Sequence, residues 1–179
     1  MNLKYDLSFS DFLEYQLYFS SKSKVQQKNR KKSRIIVPII YAVLILIAIL
    51  IGNYILAITF AIIAIIWYLI HPVYAKYRYK KHFENHIKEN YKNRIDKEIS
   101  LTFNQNSRAI EGIEEGTQST INYSEFDVLI EIKEHFFLKL KSNVSFIIPK
   151  RAIDDLKGFK KIFTDINIEI VDQTDWIWK

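Results

Sequence analysis

The sequence predicts an α+β membrane protein, with a two-helix transmembrane hairpin followed by a small antiparallel-sheet domain capped by one helix. Three observations lead there. None of the 26 basic and 20 acidic residues falls within Ile35–Ile70. After Glu98 the apolar residues alternate with polar ones, the period of a half-buried strand. Beyond Pro149 they return to helical spacing. The mean hydropathy of −0.07 hides this contrast by averaging the apolar block with its polar flanks.

One helix over residues 35–70 would run about 54 Å, against roughly 30 Å of bilayer hydrocarbon. Two passes fit. Gly52-Asn53 is the only turn signal in the block and divides it into Ile35–Ile51 and Tyr54–Ile70. Both segments are short for a crossing, so the helices should stand upright. Pro38 then falls in the first turn of its helix, where a missing amide donor costs little. Ala57, Ala61 and Ala64 recur at i, i+4 and i+7 on the second pass, a helix-packing stripe whose partner is either the first pass or another copy. Trp67, Tyr68 and His71 near one end and Tyr54 near the other suit interfacial anchors. With no ionised residue in the block, a proton relay or ion ligand has no candidate, which argues against a pump.

Charge sets the orientation. Net charge runs +5 over residues 1–34, zero over 35–70, +5 over 71–97 and −4 over 98–179. Lys31, Lys32 and Arg34 lead a collar before the first pass, and Lys76, Arg78, Lys80 and Lys81 form one after the second. The connecting turn has no charge, so both termini are expected in the cytoplasm of a multi-pass cell-membrane protein. Mixed residues precede the first pass and no small-residue cleavage site follows it, so the hairpin is expected to be retained. A pI of 9.3, with Tyr74, Tyr77 and Tyr79 among lysines, raises nucleic-acid binding. Topology explains the same collars without that partner, and no nucleic acid is expected. The lack of cysteine removes disulfides, thiolate metal sites and a cysteine nucleophile.

The chain therefore divides into a cytoplasmic N-terminal strand and amphipathic helix (1–34), the hairpin (35–70), a basic juxtamembrane helix (71–97) and a cytoplasmic C-terminal domain (98–179). Leu3, Tyr5 and Leu7 alternate with polar residues, and Ser8 or Ser10 can cap a helix bearing Asp11 and Glu14 in its first turn. Phe12, Tyr15 and Phe19 stripe that helix. Because the strand before it needs a sheet to join, packing on the C-terminal domain is favoured over lying on the membrane. His82 and His86 have the i, i+4 spacing that holds zinc with a third ligand, yet no Glu follows His82 directly, and they read as solvated.

Strands are expected at Ile99–Phe103, Ala109-Ile110, Ser119–Tyr123, Phe126–Ile132, Phe136–Leu140 and Val144–Ile148. Glu111, Glu114 and Glu115 flank glycines and read as a solvated turn, and His135 falls in a hairpin turn and reads as exposed. Ala152, Ile153, Leu156, Phe159 and Phe163 make one apolar helix face behind Asp154 and Asp155. Ile166, Ile168 and Ile170 supply a last strand, and Trp176-Ile177-Trp178 suits docking on the domain or touching headgroups.

A short strand before Ser10-Asp11-Phe12, a basic run, a two-pass hairpin, a basic helix and a strand pair ending Phe146-Ile147-Ile148-Pro149-Lys150-Arg151-Ala152 stand in this order. The arrangement resembles the bacterial YcxB-like membrane proteins, most specifically over Phe136–Ala152. The resemblance implies a pleckstrin-homology-like (PH-like) C-terminal domain, with no catalytic residues and no established ligand; Ile166–Lys179 extends beyond its plain form. In eukaryotic relatives of that fold a Lys/Arg cluster binds lipid phosphates. Here the domain is net negative, and Lys150-Arg151 with Lys139 and Lys141 are its compact basic groups.

No Gly-rich phosphate loop and no Gly-x-Ser-x-Gly elbow occurs. The expectation is a membrane-anchored, non-enzymatic binding or scaffold protein without cofactor or metal, partnered by the lipid bilayer and by a protein or further copies of itself. The alternative is an immunity or envelope-stress protein protecting against membrane-active peptides or toxins. A small pore built around the alanine stripe is a third reading.

Overall fold

The computed structural model describes residues 1–104, 107–114 and 116–178. Its elements run β1 (Asn2–Asp6), α1 (Phe9–Lys22), α2 (Lys24–Leu50), α3 (Tyr54–Asn90), β2 (Glu98–Asn104), β3 (Ala109–Glu114), β4 (Thr117–Asn122), β5 (Phe126–Glu131), β6 (His135–Leu140), β7 (Ser145–Pro149), α4 (Leu156–Asp165) and β8 (Glu169–Asp172). They form two compact units, residues 17–84 and residues 1–16 with 85–178. The predicted α+β class stands: two long apolar helices, then sheets and a helix.

In the first unit, α2 and α3 are long and apolar enough to cross a membrane. Their apolar side chains stay largely uncovered: Leu50 is 87% exposed and Ile55 81%. Gly52 takes a left-handed φ of 75°, where the Cβ of another residue would be strained, and its N–H and that of Asn53 return to the carbonyls of Ile49 and Ala48. Asn53 Oδ1 then accepts from the Leu56 N–H and caps α3. The predicted turn is therefore a helix stop followed at once by a helix start.

Both helices extend beyond the apolar block. The basic run joins α2, whose start Ser23 caps by accepting from the Gln26 N–H, because Lys, Arg and Gln are good helix formers and nothing interrupts them. Pro38 consequently lies inside α2 rather than in a first turn, and Pro72 lies inside α3. Each removes one backbone donor, freeing a carbonyl one turn earlier, at Arg34 and at Tyr68.

The second unit holds two four-stranded sheets, ordered β1-β2-β3-β4 and β7-β6-β5-β8. β1 pairs antiparallel with β2, Leu3 opposite Leu101 and Tyr5 opposite Ile99. The first residues of the chain therefore belong to this fold, and the structural division does not fall at residues 34 and 98. The six strands expected between residues 99 and 148 are β2–β7, β1 and β8 are the first and last strands read from the sequence, and β8 pairs parallel with β5 after the α4 crossover. The expected turn over Glu111–Gly116 is shorter: Glu111 and Glu114 lie in β3, and Glu115 lies outside the described residues. Gly112 lets the sheet close there, since a Cβ would stand 3.3 Å from Leu101 Cδ2 and 3.1 Å from Ser119 Oγ.

β6 is buried along nearly its whole length on both faces. One face meets α4: Phe159 stands 5.0 Å from Phe136 and 5.7 Å from Phe103 of β2, with Phe163 5.1 Å away. These rings tie both sheets to the helix. On the other face Tyr15 of α1 meets Phe137 edge-on at 5.4 Å. α4 begins at Leu156, later than the apolar pattern suggests, because Lys150–Ala152 form a 3-10 turn and Asp155 caps the helix through the Lys157 and Gly158 amides. Trp178 is buried within this unit and Ile177 is exposed.

Candidate functional site

Ser8, Asp11, Glu14, His135 and Arg151 meet where α1 begins against the start of β6. The local sequence builds the first half. Ser8 precedes α1 and Asp11 follows three residues later, so the Asp11 carboxylate accepts from the Ser8 N–H at 2.7 Å and the Ser8 hydroxyl at 2.8 Å, in the manner of a capping box. The same carboxylate accepts two bonds from Arg151, Nη1 at 2.9 Å and Nη2 at 2.7 Å, and one from His135 Nε2 at 2.7 Å. Arg151 Nη2 also donates to the Asp6 carbonyl. Asp11 and His135 are each 3% exposed.

His135 Nδ1 lies 2.8 Å from Glu14 Oε2, so each ring nitrogen faces a carboxylate. Burial works against the charged ring, yet the bonds to Asp11 and Glu14 outweigh it and raise its pKa. Asp11 shifts the opposite way: burial disfavours its charge, and the donors His135, Arg151 and Ser8 win, holding it well below the usual carboxylate range. The protonated ring, with Nε2 bonded to Asp11 and Nδ1 beside Glu14, has no lone pair to accept a proton or bind a metal. The cluster is a charge-balanced clamp joining α1 to β6 and the turn after β7.

A second network lies nearby in the fold. Glu131 of β5 receives Lys150 Nζ at 2.8 Å and Lys160 Nζ at 2.5 Å, and both ammonium groups stand near the Phe136 ring. Burial opposes its charge, but the two lysines lower its pKa. Lys150 and Arg151, the compact basic pair of the sequence, are thus both engaged by carboxylates. Lys139 pairs with Asp127.

The unit also carries an open groove of about 620 Å³, within the range of small-ligand sites. Edge strand β7 forms one wall with Phe146 and Ile147, joined by Val144 just before it, and Tyr5, Tyr15 and Tyr91 form another. Arg94 and Glu114 line it too and close a two-pronged ion pair at 2.6 and 2.7 Å. Burial, and then the Glu114 carboxylate, keeps the Tyr5 phenol protonated by pushing its pKa up. An edge strand beside an aromatic wall can take an extended peptide.

The collar residues Lys31, Lys32, Lys76, Arg78, Lys80 and Lys81 are exposed, and Arg34 is half-buried with its guanidinium 4.0 Å from the Tyr68 ring centre. Ala57 is buried and Ala61 and Ala64 half-buried; Phe60 beside them meets Tyr41 of α2 at 5.9 Å. His82 is exposed and His86 half-buried, with Nδ1 3.0 Å from Asn90 Nδ2. Among the described residues no group of three or more potential ligands gathers to hold a metal ion. His135 is the largest departure from expectation: it is buried, not exposed. A signal for it existed, since the unbroken run Phe136-Phe137-Leu138 marks a strand covered on both faces, which buries its first residue as well.

Residues 106–163 match a family model described as YcxB-like protein. The chain is similar to that family over β3 through most of α4, which bears out the resemblance read from Phe136–Ala152. The YcxB-like segment contains His135 and Arg151, while Asp11 and Glu14 come from α1 outside it. No curated protein and no solved structure matches the chain.

Proposed function

We propose that this YcxB-like chain is a membrane-anchored, non-enzymatic binding protein that displays its α+β unit at the cytoplasmic face. The observation that carries the reading is the apolar surface left uncovered along α2 and α3, which water does not tolerate on this scale and a bilayer does. Basic residues at both polar ends of the hairpin and none at its turn support cytoplasmic termini. In the displayed unit the buried His135 stands between two carboxylates that favour its charged form, an arrangement suited to holding α1 against β6. The two-sheet architecture capped by α4 supports the PH-like reading, and the groove along β7 is the surface on which we expect a protein partner.

A photo-crosslinking residue at Val144, which is 60% exposed on the groove, tests the binding role in native membranes. The expected result is a discrete, reproducible protein adduct at Val144 that is missing with the crosslinker at exposed Lys157. Equal, diffuse labelling at both positions, or none, contradicts the role.

A further inference from the structure

A cleft of about 640 Å³ opens between α2 and α3 at the basic end of the apolar block and lies wholly within the hairpin unit. Lys32 and Ser33 of α2 face Trp67, His71, Tyr74 and Arg78 of α3 across it. Three features mark it as built. His71 is 6% exposed, and its Nε2 meets the Ser33 hydroxyl at 3.1 Å, fixing one wall. The Trp67 indole N–H is buried with no hydrogen-bond partner among the described residues, an orphan donor of the kind that folded proteins rarely retain. Cationic groups surround the opening: Lys32 and Arg78 line it, and Arg30 stands 5.5 Å from the ring centre of Tyr79, another lining residue.

These groups lie along α3 from Trp67 to Arg78 and beside Lys32 and Ser33 of α2, the level of the hairpin over which the charge-free block gives way to the basic collar. A ligand fitting that level must offer anionic oxygen acceptors at the cleft while its apolar portion continues beside exposed Ile36 and the rest of the block. We infer that the cleft binds the headgroup phosphate of an anionic phospholipid, with Lys32 and Arg78 supplying charge and the Trp67 N–H supplying a directed hydrogen bond. Basic pockets between helices on the cytoplasmic side suit this chemistry, and an aromatic amide-like donor at the interface selects for position as well as charge. The inference rests on the membrane reading above and assigns a defined lipid to one place on the hairpin.

The test uses the full chain purified in neutral detergent, titrated with phosphatidylglycerol or with phosphatidylcholine of the same acyl chains and followed by native mass spectrometry. One phosphatidylglycerol should be retained in preference to phosphatidylcholine. The Lys32→Gln/Arg78→Gln variant should lose roughly thirtyfold in phosphatidylglycerol affinity, as expected for two basic residues at an anionic surface. Trp67→Phe, which changes no charge, should lose about tenfold, the worth of a hydrogen bond to a charged acceptor. Lys80→Gln/Lys81→Gln, outside the cleft, should retain the preference. Equal retention of the two lipids, or equal loss from the Lys80/Lys81 and Lys32/Arg78 variants, overturns the site. Competition by free glycerol phosphate as effective as that by phosphatidylglycerol overturns the assignment to a lipid. Failure of the membrane reading shows separately, as a wild-type chain that does not enter phosphatidylcholine nanodiscs.

Discussion

Asp11→Ala is expected to lower the unfolding free energy of the second unit by about 3–5 kcal/mol, the cost of removing one member of a buried ion pair. The substitution deletes acceptors for Arg151, His135 and the Ser8 amide together, so two cations lose their shared partner and α1 loses its first-turn cap. Hydrogen exchange of the full chain in detergent should show lost protection at β6 and at the beginning of α1. Unchanged protection there would mean the clamp holds nothing. Asp11→Asn keeps the shape and removes the charge, and it should lower the His135 pKa measured by NMR, because a carboxylate that raises it is gone.

The same pair fixes a pH window. The raised His135 pKa gives a contribution to stability that is complete below the unfolded histidine value of about 6.5 and is lost as pH climbs through the folded value. The lowered pKa values of Asp11 and Glu131 give contributions that are complete above roughly pH 4 to 5 and are lost as pH falls through their folded values. Stability of the wild type should therefore be greatest between these limits. In Asp11→Asn the alkaline decline should begin at lower pH than in the wild type; an unmoved decline would show that another group causes it.

Phe159→Ala is expected to cost a similar 3–5 kcal/mol. The Phe159 side chain has no exposed surface and its ring contacts Phe103, Phe136 and Phe163, so truncation opens a cavity among one sheet, the other sheet and α4 at once. Denaturant unfolding followed by near-ultraviolet circular dichroism should show the loss, accompanied by lower exchange protection in α4 and β2. Phe159→Leu fills most of the volume and should recover part of the stability. An alanine variant as stable as wild type would contradict the placement of Phe159 at the centre of the core.

Much of this was legible from residue order because its causes are local. The charge-free block, the Gly52-Asn53 stop, the alternation in β2 and the apolar run in β6 each depend on neighbours a few residues away. The clamp was not legible, because Asp11 reaches His135 and Arg151 only after β1 crosses to β2 and β6 turns into β7. Asp11 shows in sequence only as a good first-turn acid, a role it fills while also making these distant pairs. The helical basic run was missed for another reason: its lysines carry a membrane signal strong enough to mask their helix propensity. β8 carried an alternating pattern, but nothing in that pattern encodes a parallel partner.

The central claim is a hairpin that crosses the membrane and returns both ends to the cytoplasm. The chain has no cysteine, so single cysteines can be placed without background, at Tyr54 beside the hairpin turn and at exposed Lys157 in the folded unit. In intact cells a membrane-impermeant maleimide should label Tyr54→Cys and leave Lys157→Cys unlabelled until the cells are permeabilised. Labelling of Lys157→Cys in intact cells, or protection of Tyr54→Cys that ends only on permeabilisation, would contradict the account.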